Sequence, residues 1–151
     1  AYALDLDIHK ELWSLLKKDP KRTELYEFLL DTSDKRRFNR VMKFAREHAD
    51  EYLQEEHEME PLLEALTDHP GEGEDLLEKA LTSIYDSCRG TALGVLDSWP
   101  DKNWSPQMRL ALLKAREMSQ HPLLKLRVDV LLKKRTMDFV SFLDVIHEHQ
   151  K

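Results

Sequence analysis

The chain has 151 residues, 41% of them hydrophobic and 34% charged, with a net charge of −6 and one cysteine, Cys88. That length makes about one ordinary domain, able to bury a core without metal or disulfide staples. One cysteine excludes an internal disulfide framework, the apolar content is too high and too periodic for disorder, and no apolar run reaches the ~18 residues of a membrane span.

Only four glycines occur, and the apolar residues are mostly leucine with few β-branched ones, which favours helices over strands. The fold expected is all-α: antiparallel helical hairpins in an α-α superhelix or multi-helix bundle of about eight helices. The lone cysteine makes a reducing, cytoplasmic compartment the expectation. Charge is banded along the chain. Residues 1–46 carry 11 basic and 8 acidic groups, residues 47–101 carry 2 and 16, and residues 102–151 carry 10 and 5. An acidic middle between basic ends can steer a partner or hold segments of one molecule together.

In chain order, the apolar residues recur at helical spacing. Leu4, Ile8, Leu12, Leu15 and Leu16 share one face of a helix from about Asp5 to Lys18, ended by Asp19-Pro20. Thr23 to Leu30 is a short helix with Leu25, Phe28 and Leu29 expected to face inward. Ser33 is placed to cap the next helix. There Phe38, Val41, Met42, Ala45, Ala49, Tyr52 and Leu53 keep 3.6-residue spacing for about five turns. Its outer face begins basic and ends acidic, against the helix dipole, so tertiary packing or a partner must outweigh that small cost. Pro61 starts a short helix with Leu62, Leu63 and Leu66 as its apolar edge.

His69-Pro70-Gly71-Glu72-Gly73 is the strongest loop signal. The chain is read as a single domain, 1–151, with a sub-boundary near 68–73 between a half at 1–67 and a half at 74–151. Leu77, Ala80, Leu81, Ile84 and Cys88 form the next stripe, with Gly90 marking its end. Ala92, Val95, Leu96 and Trp99 form another. Ser105-Pro106 opens a helix to Met118, and Gln120-His121-Pro122 opens one to about Arg135. Both are apolar on more than one side and should be covered by more than one neighbour. Thr136 caps a last helix with Phe139, Phe142, Leu143 and Ile146 on its apolar face.

Arg89-Gly90-Thr91-Ala92-Leu93-Gly94-Val95-Leu96, Arg109-Leu110-Ala111-Leu112-Leu113 and His121-Pro122-Leu123-Leu124-Lys125-Leu126-Arg127-Val128-Asp129-Val130-Leu131-Leu132 carry arginines 20 and 18 residues apart. Two helices thus span about 40 residues, a two-helix repeat length. The stretch 74–135, most closely Arg89 to Arg135, resembles HEAT repeats. The resemblance implies stacked helix pairs and a binding surface, and it implies no chemistry. His121 stands where that family usually has an aspartate six residues before the arginine, so the customary aspartate–arginine ladder does not carry over. The N-terminal half carries no such repeat pattern.

Glu55, Glu56, His57, Glu58 and Glu60 are the densest cluster of metal-binding residue types, and His48/Glu51, His57/Glu60 and Asp144/His147 stand at i,i+3. A di-metal carboxylate bundle needs two facing Glu-x-x-His motifs with two more glutamates, an arrangement these pairs do not supply. Neither His-Glu-x-x-His, paired Cys-x-x-Cys, Gly-x-Ser-x-Gly nor a phosphate-cradling glycine loop occurs in the sequence. The expectation is no metal, no cofactor and no catalysis. The chain is read as a protein–protein interaction or scaffold module whose partner is another protein. Trp104 lies in a short inter-helix loop and is its contact candidate, flanked by Arg109, Lys114, Arg116 and Arg127. The alternative is a nucleic-acid-associated HEAT-like protein, a base-excision enzyme among its forms. It would grip phosphates through Arg36, Arg40 and Lys43, which share one helix face at i, i+4 and i+7.

Overall fold

The computed structural model describes residues 2–133. Within them the chain is helical, without strands. Seven α-helices are complete: α1 (Tyr2–Lys18), α2 (Tyr26–Leu30), α3 (Lys35–Tyr52), α4 (Glu60–Ala65), α5 (Glu74–Leu81), α6 (Asp86–Ser98) and α7 (Pro106–Met118). An eighth, α8, occupies 122–133. The all-α expectation of about eight helices therefore holds. The last helix expected, after Thr136, lies outside the described residues.

Helices two apart in sequence pack on one another. In the odd-numbered row, Trp13 of α1 meets Phe44 of α3 edge to face at 5.4 Å. Arg46 and Asp50 of α3 pair with Asp75 and Lys79 of α5 at 2.8 and 2.9 Å. α5 packs on α7, and Glu74 Oε1 accepts the backbone N–H of Ser105 at the head of α7 (3.1 Å). In the even-numbered row α2 packs on α4 and α4 on α6, and the Arg127 guanidinium of α8 donates to the Gly90 carbonyl of α6 (3.4 Å). This alternation runs through both halves of the chain, although the repeated sequence pattern is confined to the second. Buried side chains from Leu16 to Leu131 form one cluster that passes without a break beneath the His69–Gly73 loop.

That loop is a packing element. Gly73 sits at φ +76 as the N-cap of α5, a conformation glycine adopts without strain. A Cβ there would stand 2.9 Å from Leu66 Cδ1 and 3.1 Å from Met42 Cε. The loop is also held from α3: Lys35 Nζ reaches Glu72 at 2.5 Å, and the Phe38 ring lies 4.7 Å from that of His69.

The short helices depend on burial. α4 has six residues, far below the length at which a helix is stable alone. Leu62, Leu63 and the adjoining Met59 and Leu66 are fully buried, each stabilising by roughly 1.5–3 kcal/mol. Several details depart from the sequence reading. Asp34, not Ser33, caps α3, accepting the N–H groups of Arg36 and Arg37. Phe28 points outward, 61% exposed, while Tyr26 and Leu30 take the inner positions. The stripe from Leu77 to Cys88 is broken at 82–85, where Ser83 Oγ accepts the Tyr85 N–H and Ile84 is left 79% exposed. Gly90 lies inside α6, where a side chain would crowd the Arg127 guanidinium at 3.3 Å.

α2 and α3 are locked by a buried pair of phenols. Tyr26 and Tyr52 share a hydrogen bond of 2.7 Å, and their rings meet edge to face at 6.0 Å. Burial pushes the Tyr52 hydroxyl up to about 12 and raises that of Tyr26 further. In the unfolded chain both ionise near 10. Above about pH 10 the unfolded state loses protons that the folded state keeps, so stability falls as pH rises. It is fully present below that value. Tyr26→Phe should cost about 1–2 kcal/mol at pH 7 by urea denaturation. It should also flatten the loss of stability above about pH 10. An unchanged alkaline slope would show that the pair does not govern it.

Candidate functional site

The five residues singled out around the C-terminal helix pair are mostly engaged within the molecule. Trp104, expected as a surface contact, is 7% exposed, and its indole N–H donates to the Leu96 carbonyl at 3.2 Å. The loop after Pro100 turns the ring under the end of α6, so it closes the core instead of presenting itself. The Arg109 guanidinium lies 5.6 Å from the centre of that ring. Arg116 makes a two-point ion pair with Asp129 (2.7 and 3.2 Å), joining α7 to α8. The same carboxylate raises its already high pKa. Arg127 binds the α6 backbone. Lys114 is exposed.

What the sequence reading missed lies beside them. Nine large apolar side chains are exposed among the described residues, and six belong to α7 and α8: Leu110, Leu113, Met118, Leu123, Leu126 and Val130. Scattered single leucines are ordinary on a protein surface, but a concentration on one pair of helices is not. The wide apolar circumference of both helices was the available signal. Covering by more than one neighbour was expected. Instead α7 buries only Met108, Ala111, Leu112 and Ala115, and α8 only Leu124, Val128 and Leu131. Leu126, Val130 and Leu131 of α8 meet Leu93 of α6 in a groove of about 330 Å³, with Asp97 and Arg127 on its walls. Its lining is apolar with one charge of each sign, the composition of a site for an amphipathic segment.

The N-terminal end of the even row differs. Glu24, Glu27 and Asp31 around α2, Glu64 of α4 and Asp68 just past it line a second groove, of about 430 Å³. Among the described residues no group of three or more His, Cys, Asp or Glu is arranged to hold a metal ion. The histidine–acid pairs close on themselves, His57 Nδ1 to Glu60 at 2.9 Å and His48 Nδ1 to Glu51 at 3.4 Å. The Glu60 contact raises the His57 pKa. The Asp144/His147 pair lies outside the described residues. Cys88 is buried, which pushes its thiol up and away from nucleophilic use. No described helix is long and apolar enough to cross a membrane.

Arg36, Arg40 and Lys43 stand exposed along α3, as their spacing implies, and their side chains make no ion pair among the described residues. Lys35 and Arg46, on the same helix, are paired with acids of the middle band. The basic helix is therefore partly neutralised within the molecule and partly open.

If Trp104 is a core residue, Trp104→Ala should cost about 3–5 kcal/mol in urea denaturation, as for other buried aromatics. A loss under about 0.5 kcal/mol, the range of surface changes, would return Trp104 to the surface. Comparison with known proteins gives this surface no precedent, since no family model, curated protein or solved structure matches the chain.

Proposed function

We propose that the protein is a non-catalytic, HEAT-like helical-repeat module that binds an amphipathic helix of a partner protein on the α6–α8 face. The observation that carries this is the set of exposed apolar side chains Leu123, Leu126 and Val130 beside the Leu93–Leu131 groove. An amphipathic helix offers apolar anchors at i, i+3, i+4 and i+7, which suit such a groove. Arg127 on the groove wall and Lys133 of α8 favour a partner with acidic flanking residues. Trp104 supports the site from beneath. Arg116 and Arg127 hold α8 in position, and Lys114 lies to one side. The row-on-row packing of helices supports the repeat reading. A cytoplasmic setting belongs to the same proposal, supported by a single cysteine that gives the chain no disulfide of its own.

Leu126 and Val130 are each 57% exposed, so Leu126→Asp with Val130→Asp should leave helicity unchanged and shift stability by under about 1 kcal/mol. Proteins that co-purify with the unmodified chain should be lost from this variant, at least about tenfold by quantitative mass spectrometry. Equal recovery would remove the α6–α8 face from consideration.

The second reading, nucleic-acid binding, rests on the exposed Arg36, Arg40 and Lys43. Phosphate contacts are strongest at low salt. A mobility-shift assay at ~50 mM salt with duplex and single-stranded DNA and RNA decides it: retardation abolished by Arg36→Glu with Arg40→Glu supports it, and no retardation ends it.

A further inference from the structure

Ile84 is the most exposed large apolar side chain among the described residues, at 79%, and the α6–α8 surface makes no use of it. A single exposed apolar residue is ordinary, but this one is held in place. On one side of it the Arg89 guanidinium, itself buried, donates to the Ser83 carbonyl at 2.9 Å and pairs with Asp86. On the other, the Tyr85 N–H donates to Ser83 Oγ at 3.1 Å, and the Tyr85 hydroxyl donates to the Gln54 carbonyl at 3.2 Å. Farther along, the Ser87 hydroxyl reaches the Glu56 carbonyl. Burying a guanidinium is costly unless its bonds are made. Here those bonds help tie the turn to the end of α3 with Ile84 on the outside.

Beside Ile84 lies a groove of about 430 Å³ between the C-terminal ends of α3 and α5. Leu53 is its second apolar residue, Thr82 and Ser83 add hydroxyls, and the Asp50–Lys79 ion pair (2.9 Å) also lines it. It shares no residue with the α6–α8 groove.

We propose that Ile84 and this groove form a second docking surface, which takes a lysine- or arginine-rich segment of a partner protein with an apolar anchor seated between Ile84 and Leu53. The displayed isoleucine and the groove carry the site, and charge selects the occupant. The two stretches that build it, 50–56 and 78–86, hold the acids Asp50, Glu51, Glu55, Glu56, Glu78 and Asp86 against one base, Lys79. Lys79 is already paired with Asp50, and Arg89 with Asp86. His48 and His57 contact Glu51 and Glu56 from outside these stretches, and the balance stays negative even with both protonated. Such a rim repels phosphate backbones and draws cations. An apolar anchor flanked by bases therefore gains at both contacts. The fixed turn spares the complex the cost of ordering its own side.

Fluorescence anisotropy with labelled peptides and the full chain tests this. The probe has two leucines between runs of lysine. One control carries serine in place of the leucines, and the other carries glutamate in place of the lysines. The probe should bind at least about tenfold more tightly than either control at ~150 mM salt. Ile84→Ser should remove that advantage while the urea midpoint stays where it was, since the side chain is already in water. Glu55→Gln with Glu56→Gln, which leaves Ile84 in place, should weaken the probe by about threefold. Equal binding of the probe and the serine control overturns the proposal, as does probe binding that neither variant weakens. Probe binding lost in Leu126→Asp with Val130→Asp overturns it too, because it assigns the peptide to the α6–α8 face. Self-association in sedimentation that Ile84→Ser abolishes gives the surface to a second copy of the chain and likewise overturns it. The proposed partner helix on the α6–α8 face rests on Leu126 and Val130 and is decided separately.

Discussion

The fold depends on α6 being held on three sides at once. α4 contributes the deepest contact: the indole N–H of Trp99, just past the end of α6, donates to the Leu66 carbonyl at 3.0 Å, and the ring is wholly buried. Farther along, Thr91 and Ser87 of α6 reach Glu60 and the Glu56 carbonyl. α5 covers the second side through Leu77, Ala80 and Leu81, all buried with Ala92 and Leu96 in the same cluster. On the third side the Arg127 guanidinium of α8 packs over position 90, where a Cβ would stand 3.3 Å from it. A buried tryptophan bonded through its nitrogen fixes both distance and rotation. It therefore sets where the α6 surface lies and where α8 can dock, and the exposed groove beside Leu93 follows from that placement.

Helix content and most of the inward faces were legible because they rest on a local period. Val41, Met42, Ala45, Ala49 and Tyr52 are buried as their spacing requires. Position in space was not legible, because it depends on contacts distant in sequence. Phe28 carries as much apolar area as Leu29, but α2 is only five residues long and its direction is set by Tyr26 bonding to Tyr52, 26 residues away. Ile84 continues the periodicity of α5, yet α5 ends at Leu81 and the turn at 82–85, where Ser83 Oγ accepts the Tyr85 N–H, leaves it outside. The capping of α3 by Asp34 in place of Ser33 is a one-residue matter within the usual uncertainty of helix ends. Its physical effect is to place a carboxylate at the positive end of a helix whose first turn is otherwise basic.

The candidate site shows the same division more sharply. Sequence placed Trp104 in a connecting loop and so suggested display. Leu96 Oxygen, eight residues earlier, accepts its N–H and draws the ring inward. The arginines at 109, 116 and 127 were visible as a recurring pattern, but their engagement depends on partners the pattern does not contain: the Trp104 face, Asp129 and the Gly90 carbonyl. Conversely, the surplus leucines of α7 and α8 were apparent, and the assumption that further neighbours cover them hid their meaning. In a row of stacked helices that assumption fails at the ends, and among the described residues α7 and α8 are the last members of their rows.

The charge bands acquire a structural sense from the same geometry. The basic start of α3 and the acids around α5 lie side by side in the odd row, where Lys35–Glu72 and Arg46–Asp75 tie them across 37 and 29 residues. Exposed pairs of this kind each contribute little, about 0–1 kcal/mol, too little to explain a segregation of 16 acids into residues 47–101. Their larger consequence is positional. Acids gather around α2 and α4 at one end of the even row, and the apolar surface with Arg127 lies at the other. On the proposed function, a helix lying along the even row would meet acids alone at the α2–α4 end and, at the other, leucines flanked by Asp97 and Arg127, so charge would distinguish its two directions while the leucines supply the contact.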